Sequence, residues 1–368
     1  MAHTAPSIAS RDARVLTGGI GPLVERLLAR GSTVVAPVVR DGVISVAAVT
    51  SADELASGWT DAQEPGRYRA SPGVDTMFGH AAPNLPWKRW LRAEDGLVVR
   101  GRRDGRSVTI DGPPPDPPPL AFVGVQACDV AALERLDVVF AHDGAHRTRT
   151  DRLVVVAVAC TDPASTCFCA SVGTGPTPGG GADIVLRELA DGTLLASSTT
   201  ATGAVLLEEI GPLPIADGAA VDAAERRIAQ GAERQTRRLD QGAVADAAAA
   251  PTDPGWQGVA ERCLTCGNCT LVCPTCFCTS VVDSTSLDGT EVERRQRWDS
   301  CFALDFSYVH GGPVRTAASS RYRQWYLHKL VTWHDQFGES GCVGCGRCIT
   351  WCPTGIDITE AIVHARDR

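Results

Sequence analysis

The sequence lacks the features that direct a protein to nucleic acid or into a membrane. Its formal net charge is −8 over 368 residues, so it has no basic excess of the kind that nucleic-acid-binding domains carry. The longest apolar run, LVVVAVAC at 153–160, is far too short to cross a bilayer. The amino-terminal stretch MAHTAPSIASRDARVLTGG has no continuous apolar core, unlike a signal peptide. We therefore expect a soluble, cytoplasmic protein with neither nucleic acid nor membrane as a partner.

The sequence also lacks a recognisable acid–base or nucleophilic centre. No serine, histidine or pair of carboxylates stands out as such a centre, and His310 and His328 are expected to be structural. The glycine-rich stretch GTGPTPGGGAD at 173–183 lacks the Lys-Ser/Thr of a phosphate-binding loop. These patterns predict no catalytic residue.

Cysteine, in contrast, is abundant. The chain has 15 cysteines in tight clusters, and their odd number excludes complete disulfide pairing. Because a cytoplasmic chain keeps its thiols reduced, clustered cysteines indicate metal binding or redox chemistry.

Hydrophobic patterns predict an α/β domain over residues 1–250. LVERLLARG has apolar residues at helical spacing, and STVVAPVVRDGVISVAAV predicts two strands joined by an Asp-Gly turn. LAFVGVQACDV, AALERLDVVFA and RLVVVAVAC then follow as strand, helix and strand, which predicts a parallel α/β unit. Cys128 and Cys160 would lie at the carboxyl ends of strands, where ligands gather in such sheets.

Composition marks one connection inside this domain and a helical segment at its end. The proline-rich DGPPPDPPPL at 111–120 predicts an extended surface connection. Residues 215–250 are rich in Ala, Glu and Arg and predict helix, which Pro251 ends. We place the boundary near residue 250, and residues 251–368 form a second, cysteine-dense domain.

The second domain contains two copies of one cysteine motif. CLTCGNCTLVCP and CVGCGRCITWCP both follow C-x2-C-x2-C-x3-C-P, the spacing of two-cluster ferredoxins. The first three cysteines of each copy wrap one 4Fe–4S cube, and the fourth, at the start of a helix, points away to ligate the other cube. Soft thiolate donors suit such clusters better than hard cations. The predicted ligands are Cys263, Cys266, Cys269 and Cys352 for one cluster, and Cys342, Cys345, Cys348 and Cys273 for the other.

A structural zinc site is the alternative for these cysteines. Zinc takes four ligands, often from paired C-x2-4-C knuckles, and would leave the third and fourth cysteines of each copy without a role. The complete eight-cysteine pattern therefore favours two clusters over zinc.

A long insert separates the two motifs. It contains RYRQWYLHKLVTW, which predicts a helix with one side formed by Tyr322, Trp325, Tyr326 and Leu330. The arrangement resembles the α-helical ferredoxin domain of iron–sulfur subunits in respiratory enzymes. On that resemblance the fold class is α+β, with an N-terminal α/β domain followed by an α-helical two-cluster ferredoxin domain.

Four cysteines of the first domain leave two interpretations open. Cys128, Cys160, Cys167 and Cys169 make up the number that a third 4Fe–4S cluster needs. Cys128 and Cys160 fit equally well as buried small apolar side chains. The pair in STCFCASVG is harder to explain in that way, because exposed thiols are a liability in a protein without redox chemistry. We therefore favour a third cluster.

The tetrapeptide Thr-Cys-Phe-Cys occurs at 166–169 and again at 275–278. It is either a local solution used twice, in which Phe shields a cluster that the flanking thiols face, or a coincidence. The second copy leaves three thiols without a fourth, namely Cys276, Cys278 and Cys301. We interpret them as packing beside the Cys273 cluster, with a further cluster or a substrate contact as the alternatives.

The matching segments PGRYRAS, PWKRWL, GVQACDVAALERLDVVF, CTDPASTCFCASVGTGP, CPTCFCTSVVD, WDSCF, RYRQWYLHK and CVGCGRCITWCP run in order from about residue 64 to 357. Their combination resembles a family of electron-transfer proteins that includes the iron–sulfur subunit of anaerobic sulfite reductases and the beta subunit of cytosolic nickel–iron sulfhydrogenases. Gln126 departs from the pattern, since many relatives are expected to have Arg there. If that Arg tunes a nearby cluster, the site here has a lower potential or no cluster.

The resemblance implies a component that transfers electrons rather than a self-contained enzyme. Relatives pass electrons from or to a separate subunit that binds flavin and NAD(P)H, and exchange them with a partner that carries a catalytic metal centre. One alternative is a catalytic subunit in which Cys128, Cys167 and Cys169 handle a sulfur substrate through thiolate chemistry. The other is a zinc-dependent interaction module.

Overall fold

The computed structural model describes residues 12–112 and 118–360. Most of the amino-terminal stretch considered above, and the centre of the proline-rich connection, lie outside the described residues. The strands are β1 (Arg14–Val15), β2 (Thr33–Arg40), β3 (Val43–Val49), β4 (Trp59–Glu64), β5 (Arg67–Pro72), β6 (Asp95–Asp104), β7 (Ser107–Asp111), β8 (Leu120–Gln126), β9 (Val154–Val158), β10 (Ile184–Glu188), β11 (Leu194–Ser198), β12 (Thr279–Thr285), β13 (Glu291–Trp298), β14 (Tyr308–Val309) and β15 (Gly312–Pro313).

The α-helices of the described residues are α1 (Gly21–Ala29), α2 (Lys88–Leu91), α3 (Ala127–Val139), α4 (Gly144–Thr150), α5 (Ala201–Glu209), α6 (Gly218–Glu233), α7 (Gln241–Ala249), α8 (Gly255–Ala260), α9 (Asn268–Leu271), α10 (Ala318–Leu327), α11 (Trp333–Phe337) and α12 (Arg347–Thr350). In this part of the chain no helix combines the length and the apolar character that a membrane-spanning segment requires.

A seven-stranded sheet forms the centre of the first domain. Its strand order is β1-β11-β10-β9-β8-β2-β3. Strands β2, β8, β9 and β10 pair in parallel, whereas β3, β11 and β1 join by antiparallel pairing. The predicted parallel unit and the predicted hairpin are both confirmed. Asp41 and Gly42 have φ angles of 51° and 74°, as a tight turn between twisted strands requires.

Both faces of this sheet are covered, which explains its continuous apolar runs. Helices α1 and α5 cover one face, through side chains such as Leu27 and Leu206. Helix α3 covers the other face, where Leu133 is buried. Because neighbouring residues of a strand point to opposite faces, Phe122 and Val123 belong to different cores.

The segment predicted as helix at 215–250 forms two helices rather than one. Asp217 and Asp240 precede α6 and α7, and the carboxylate of each caps the first turn, Asp217 by accepting from one N–H group and Asp240 from two. The connection between these helices brings Gln235 to Cys169 and Arg237 to Asp357, which follows the second cysteine motif.

A second sheet connects the two predicted domains. Its order is β12-β13-β6-β7, so a hairpin from the cysteine-dense region pairs with a hairpin from the first half. The region after residue 250 is therefore not purely α-helical as expected. Its segment TSVVDST is rich in β-branched residues, which suit a strand. The boundary near residue 250 stays a prediction, and this sheet crosses it.

The segment RYRQWYLHKLVTW of the insert is helical, as predicted. It runs from α10 through a π-helical turn at His328–Thr332 into α11. The predicted apolar side is buried in one cluster, which contains Tyr322, Trp325, Tyr326 and Leu330 together with Trp256 and Ile349.

The loop of the second cysteine motif lies directly against the first Thr-Cys-Phe-Cys loop. The backbone N–H of Phe168 donates to the carbonyl of Gly344 at 2.8 Å. A Cβ atom on Gly344 would lie 2.6 Å from backbone atoms of Cys169, and φ of Gly344 is +61°. Glycine is therefore required for this close approach.

We predict that Gly344→Ala lowers the free energy of unfolding more than Gly338→Ala does. Both glycines have positive φ, +61° and +75°, but a Cβ atom on Gly338 meets nothing within 4 Å. The left-handed conformation costs each variant roughly 1–3 kcal/mol, and only Gly344→Ala adds a collision with backbone. Denaturant unfolding measures the difference. Equal losses would show that the two loops do not approach this closely in solution.

Candidate metal centre

The four predicted ligands of the first cluster surround one hollow. Cys263, Cys266, Cys269 and Cys352 all line the same pocket. Its remaining walls are largely apolar and include Phe302, Trp325 and Ile356. Backbone N–H groups point at sulfur, since Thr265 donates to Cys263 Sγ at 3.4 Å and Ile356 donates to Cys352 Sγ at 3.3 Å. Such N–H donors favour a thiolate over a thiol.

The four predicted ligands of the second cluster line a neighbouring hollow. Cys273, Cys342, Cys345 and Cys348 line one pocket, which Phe168, Trp325 and Lys329 also enclose. The N–H of Gly344 donates to Cys342 Sγ at 3.4 Å. Like the first hollow, it is lined by four thiols and by apolar side chains, and it also contains the cationic side chain of Lys329.

The two motifs lie side by side, and each contributes its last cysteine to the hollow of the other. Cys352 lines the first hollow and Cys273 lines the second. Asn268 Nδ2 donates to the carbonyl of Trp351 at 2.7 Å, which holds α9 beside α12. The structure thus brings together the two sets of thiols that the motif spacing groups.

Exposure decreases from the first hollow to the second. Cys266 is exposed and Cys263, Cys269 and Cys352 are half-buried, whereas Cys273, Cys342 and Cys345 are buried. Cys348 lines both cavities, so the two hollows share a wall. The first hollow therefore faces solvent, and the second lies inside the protein.

A buried lysine lies at the second hollow. Lys329 is 4% exposed, and its Nζ donates to Cys273 Sγ at 3.2 Å and to Thr275 Oγ1 at 2.9 Å. Lys329 belongs to the π-helical turn, a distortion that is common at functional sites. Burial opposes its charge, but the thiols of Cys273, Cys276 and Cys342 raise the pKa of Lys329 well above its ordinary value.

The pKa of Cys273 is shifted in the opposite direction. A hydrogen bond from Cys276 and the charges of Lys329 and Lys88 hold the pKa of Cys273 well below its ordinary value, against the effect of burial. Cys273 is therefore suited to be a thiolate in an interior site, as a metal ligand must be.

Burial keeps other thiols of the two hollows neutral. It raises the pKa of Cys342 to about 12, and it raises the pKa values of Cys269 and Cys348 well above their ordinary value. Because iron binds thiolates, filling the hollows must release protons.

Three cysteines of the first domain, Cys128, Cys160 and Cys167, all interact with the fourth, Cys169. Cys128 lies in the first turn of α3, Cys160 lies just after β9, and Cys167 and Cys169 lie on the following loop. Burial and the neighbouring Cys169 raise the pKa values of the other three thiols. Gln235 Nε2 donates to Cys169 Sγ at 3.2 Å. Four thiols, mostly buried and with an N–H donor, thus form one interacting group.

This group of thiols adjoins the second hollow. Cys345 acts electrostatically on Cys128, Cys167 and Cys169. Cys167 Sγ also lies 3.9 Å from the carbonyl oxygen of Cys345. The two hollows and the first-domain thiols therefore follow one another through the protein.

Both copies of Thr-Cys-Phe-Cys pack against the second cysteine motif. Thr166 Oγ1 lies 2.9 Å from Thr350 Oγ1, and Thr275 Oγ1 donates to the carbonyl of Gly341 at 2.6 Å. Both threonines are 0% exposed, so each hydrogen bond is fully buried. Phe168 lines the second hollow, in agreement with the shielding role considered for it. The two copies thus play one structural role, because each forms a hydrogen bond to one end of the second cysteine motif.

A buried ion pair joins the second motif to α3. Arg347 and Asp129 are 0% and 1% exposed, and their paired nitrogen–oxygen distances are 2.9 and 2.7 Å. Arg347 Nε donates to the carbonyl of Pro83 at 2.6 Å. Since Cys128 precedes Asp129 and Arg347 lies between Cys345 and Cys348, the pair fixes the first-domain thiols relative to the second hollow.

Gln126, the residue that departs from the family pattern, is buried at the start of α3. Its Nε2 donates to the carbonyl of His80 at 2.7 Å, and its Oε1 has no hydrogen-bond partner. It contributes a neutral amide beside Cys128 where Arg would contribute a cation. The lower potential considered for this site stays a prediction.

Several residues of the site escaped the sequence analysis. Lys88, Lys329, Arg347 and Asp129 are buried charges at the cysteine clusters. Their positions within PWKRWL, RYRQWYLHK, CVGCGRCITWCP and GVQACDV were visible, but charged residues in a sequence are normally assigned to the surface. Only the three-dimensional arrangement shows that each faces thiols or another buried charge.

Across residues 12–112 and 118–360, no group of three or more His, Cys, Asp or Glu side chains is arranged to hold a single metal ion. A zinc ion holds four thiolates at about 2.3 Å, whereas a 4Fe–4S cube keeps its thiolates apart by its own width. The spacing of the thiols therefore gives no support to the zinc alternative.

Two comparisons with known proteins agree with this geometry. A family model described as a 4Fe-4S dicluster domain matches residues 262–356, which contain both cysteine motifs. Sulfhydrogenase 2 subunit beta of Pyrococcus furiosus is 31% identical over 294 residues, which cover 77% of this chain and 83% of that protein. The resemblance inferred from the sequence is thereby confirmed, and the chain belongs to the sulfhydrogenase beta subunit family.

Proposed function

We propose that this chain is the iron–sulfur electron-relay subunit of a hydrogenase-type complex in the cytoplasm. The observation that supports it most directly is the pair of adjoining hollows, each lined by four thiols and each including the last cysteine of the other motif. Bound 4Fe–4S clusters would supply one-electron transfer there. The chain itself would hold the clusters next to one another and control their surroundings.

In this proposal the ligands are those that the motif spacing predicts. One cluster takes Cys263, Cys266, Cys269 and Cys352, and the other takes Cys342, Cys345, Cys348 and Cys273. Soft donors, N–H groups that point at sulfur and largely apolar walls all suit such clusters.

We further infer that Cys128, Cys160, Cys167 and Cys169 hold a third cluster. Two observations support this inference over the interpretation as isolated buried thiols. The other three side chains all interact with Cys169, and the group adjoins Cys345 of the second hollow. The relay would then have three centres in sequence, and its exposed end would be at Cys266.

Two partner subunits complete the proposal. One would bind flavin and NAD(P)H, and the other would carry a catalytic metal centre. Support comes from the name of the Pyrococcus relative, which is itself one subunit of a sulfhydrogenase. A relay also needs a donor and an acceptor, and exposed Cys266 offers a place for one of them to approach.

Iron content tests the proposal. We expect the full chain, prepared without oxygen, to hold about twelve irons and as many sulfides, and to show 4Fe–4S EPR signals when reduced. Cys345→Ala is expected to lower the iron content by about four, because it removes a ligand of one cube. Fewer than about eight irons in the unaltered chain would contradict even two cubes.

The third cluster is tested separately at the first Thr-Cys-Phe-Cys. Cys167→Ala is expected to remove about four irons and one EPR component. Cys276→Ala changes the equivalent cysteine of the second copy, and it is expected to retain the full iron content. Unchanged iron in Cys167→Ala would reject Cys167 as a ligand, and lost turnover with intact clusters would favour the catalytic alternative.

Lys329 is expected to raise the reduction potential of the second cluster. A unit charge about 5 Å away, at an effective dielectric constant of about 20, is worth roughly 3 kcal/mol. Lys329→Met should therefore shift that midpoint negatively by on the order of 100 mV. An EPR-monitored redox titration measures it.

Lys329→Arg, which keeps the charge, serves as the control and should retain most of the potential. The first cluster should shift much less than the second in Lys329→Met. A negative shift of the same size in both variants would show that packing rather than charge is responsible.

A further inference from the structure

The hairpin β12–β13 brings two cysteines together at its base. Cys278 precedes β12 directly, and Cys301 follows the end of β13. Thr279 is paired with Trp298, and the N–H of Asp299 donates to the carbonyl of Cys278 at 2.9 Å. The pairing therefore extends beyond the strands and fixes the backbone at Cys278 next to the segment that carries Cys301.

The two thiols are in direct contact. The sulfur of Cys278 accepts hydrogen bonds from the thiol and from the backbone N–H of Cys301. The thiol hydrogen bond, together with the charges of Lys329 and Lys88, lowers the pKa of Cys278 to about 7, while the same contact and burial raise the pKa of Cys301. One member of the pair is thus suited to be a thiolate and the other a thiol, as in dithiols that form disulfides readily.

The pair lies between the predicted clusters and a pocket. On the inner side, Cys301 acts electrostatically with Cys269, and Cys278 acts with Lys329, which also holds Cys273. On the other side, Cys278 lines a small surface pocket. Lys88 forms a wall of this pocket, with its Nζ 4.5 Å from the ring centroid of Trp298.

Cys278 and Cys301 form a pair of their own. Two cysteines that form a disulfide must come into contact. Cys276, the third thiol of this region, is in contact with Cys273 instead. The three thiols are therefore not arranged as an equivalent set of ligands.

We propose that Cys278 and Cys301 form a redox-active dithiol that exchanges electrons with the adjacent iron–sulfur clusters. In reduction, the S–S bond between the two cysteines takes up two electrons, delivered one at a time by the clusters, and two protons, and it yields two thiols. In oxidation, two oxidised clusters accept these electrons and the protons leave to solvent. The pair would convert one-electron transfer within the relay to a two-electron store. This inference rests on the proposed function, because the clusters are its electron partners.

Electron counting on the full, cluster-loaded chain tests the proposal. A reductive titration of the unaltered protein should consume about two electrons more per chain than one of the double variant Cys278→Ser, Cys301→Ser. The iron content and the EPR signals of the two proteins should be equal. No difference in electron uptake would overturn the proposal, and so would loss of iron in the variant, which would identify the pair as ligands.

Thiol trapping gives an independent measurement on the unaltered chain. The protein is poised anaerobically at an oxidising or a reducing potential, alkylated, digested and examined by mass spectrometry. We expect a peptide linked through Cys278 and Cys301 only in the oxidised sample, and alkylated Cys276 in both samples. Free thiols at both positions in the oxidised sample would contradict the proposed dithiol.

The two readouts separate this proposal from the proposed function. A chain with too little iron for two cubes would contradict the relay, whatever the thiols do. A chain with its full iron content but no change at Cys278 and Cys301 would contradict the dithiol alone.

Discussion

The buried ion pair between Arg347 and Asp129 is the contact on which the geometry of the metal centre depends. It joins a residue inside the second cysteine motif to one beside Cys128, across 218 positions of the chain. Two charges without water are tolerable only when they satisfy each other and the remaining donors are used, as Arg347 Nε is by the carbonyl of Pro83. Loss of one partner of such a pair typically costs about 3–5 kcal/mol. This ion pair is costly to bury, and it occurs where two sets of thiols must keep a fixed position relative to each other.

The second cysteine motif, which carries Arg347, is held at three further points. Thr166 and Thr275, from the two copies of one tetrapeptide, bond to its two ends. Phe168 bonds to its centre at Gly344. These contacts come from two distant parts of the sequence, one at residues 166–168 and the other at Thr275. The second motif is therefore the point at which the first domain, the insert and the first motif meet, which accounts for its greater burial relative to the first motif.

Spacing and periodicity were sufficient to predict what is local. The eight cysteines of the two motifs, the parallel β8–β9 unit, the Asp-Gly hairpin and the apolar side of α10 all follow from residues close to one another in sequence. The interruption between α6 and α7, and the sheet that joins β13 to β6, did not follow. Segment 234–240 contains no proline or glycine to mark a break, and its course depends on bonds from Gln235 and Arg237 to distant partners. Strand pairing across such separations leaves no pattern in the sequence of either strand.

Buried charge was the other property that sequence could not reveal. Lys329 follows a histidine in a basic, aromatic segment, yet it is nearly inaccessible and donates to a cysteine. Its burial depends on the π-helical turn and on thiols that are distant in the chain, so propensity rules had no access to it. Sites of this kind, where local expectations fail, are often functional ones.

The order in which the two cysteine motifs follow the first domain bears on how the protein is made. Translation proceeds from the amino terminus, so Cys128 is synthesised long before Cys345 and Cys352. Cys345 lines the second hollow, near Cys128, and Cys352 lines the first hollow. Until the second motif leaves the ribosome, neither hollow has all four of its thiols. Insertion of inorganic cofactors must therefore await synthesis of that motif, and the nascent polypeptide has to keep its early cysteines reduced in the meantime.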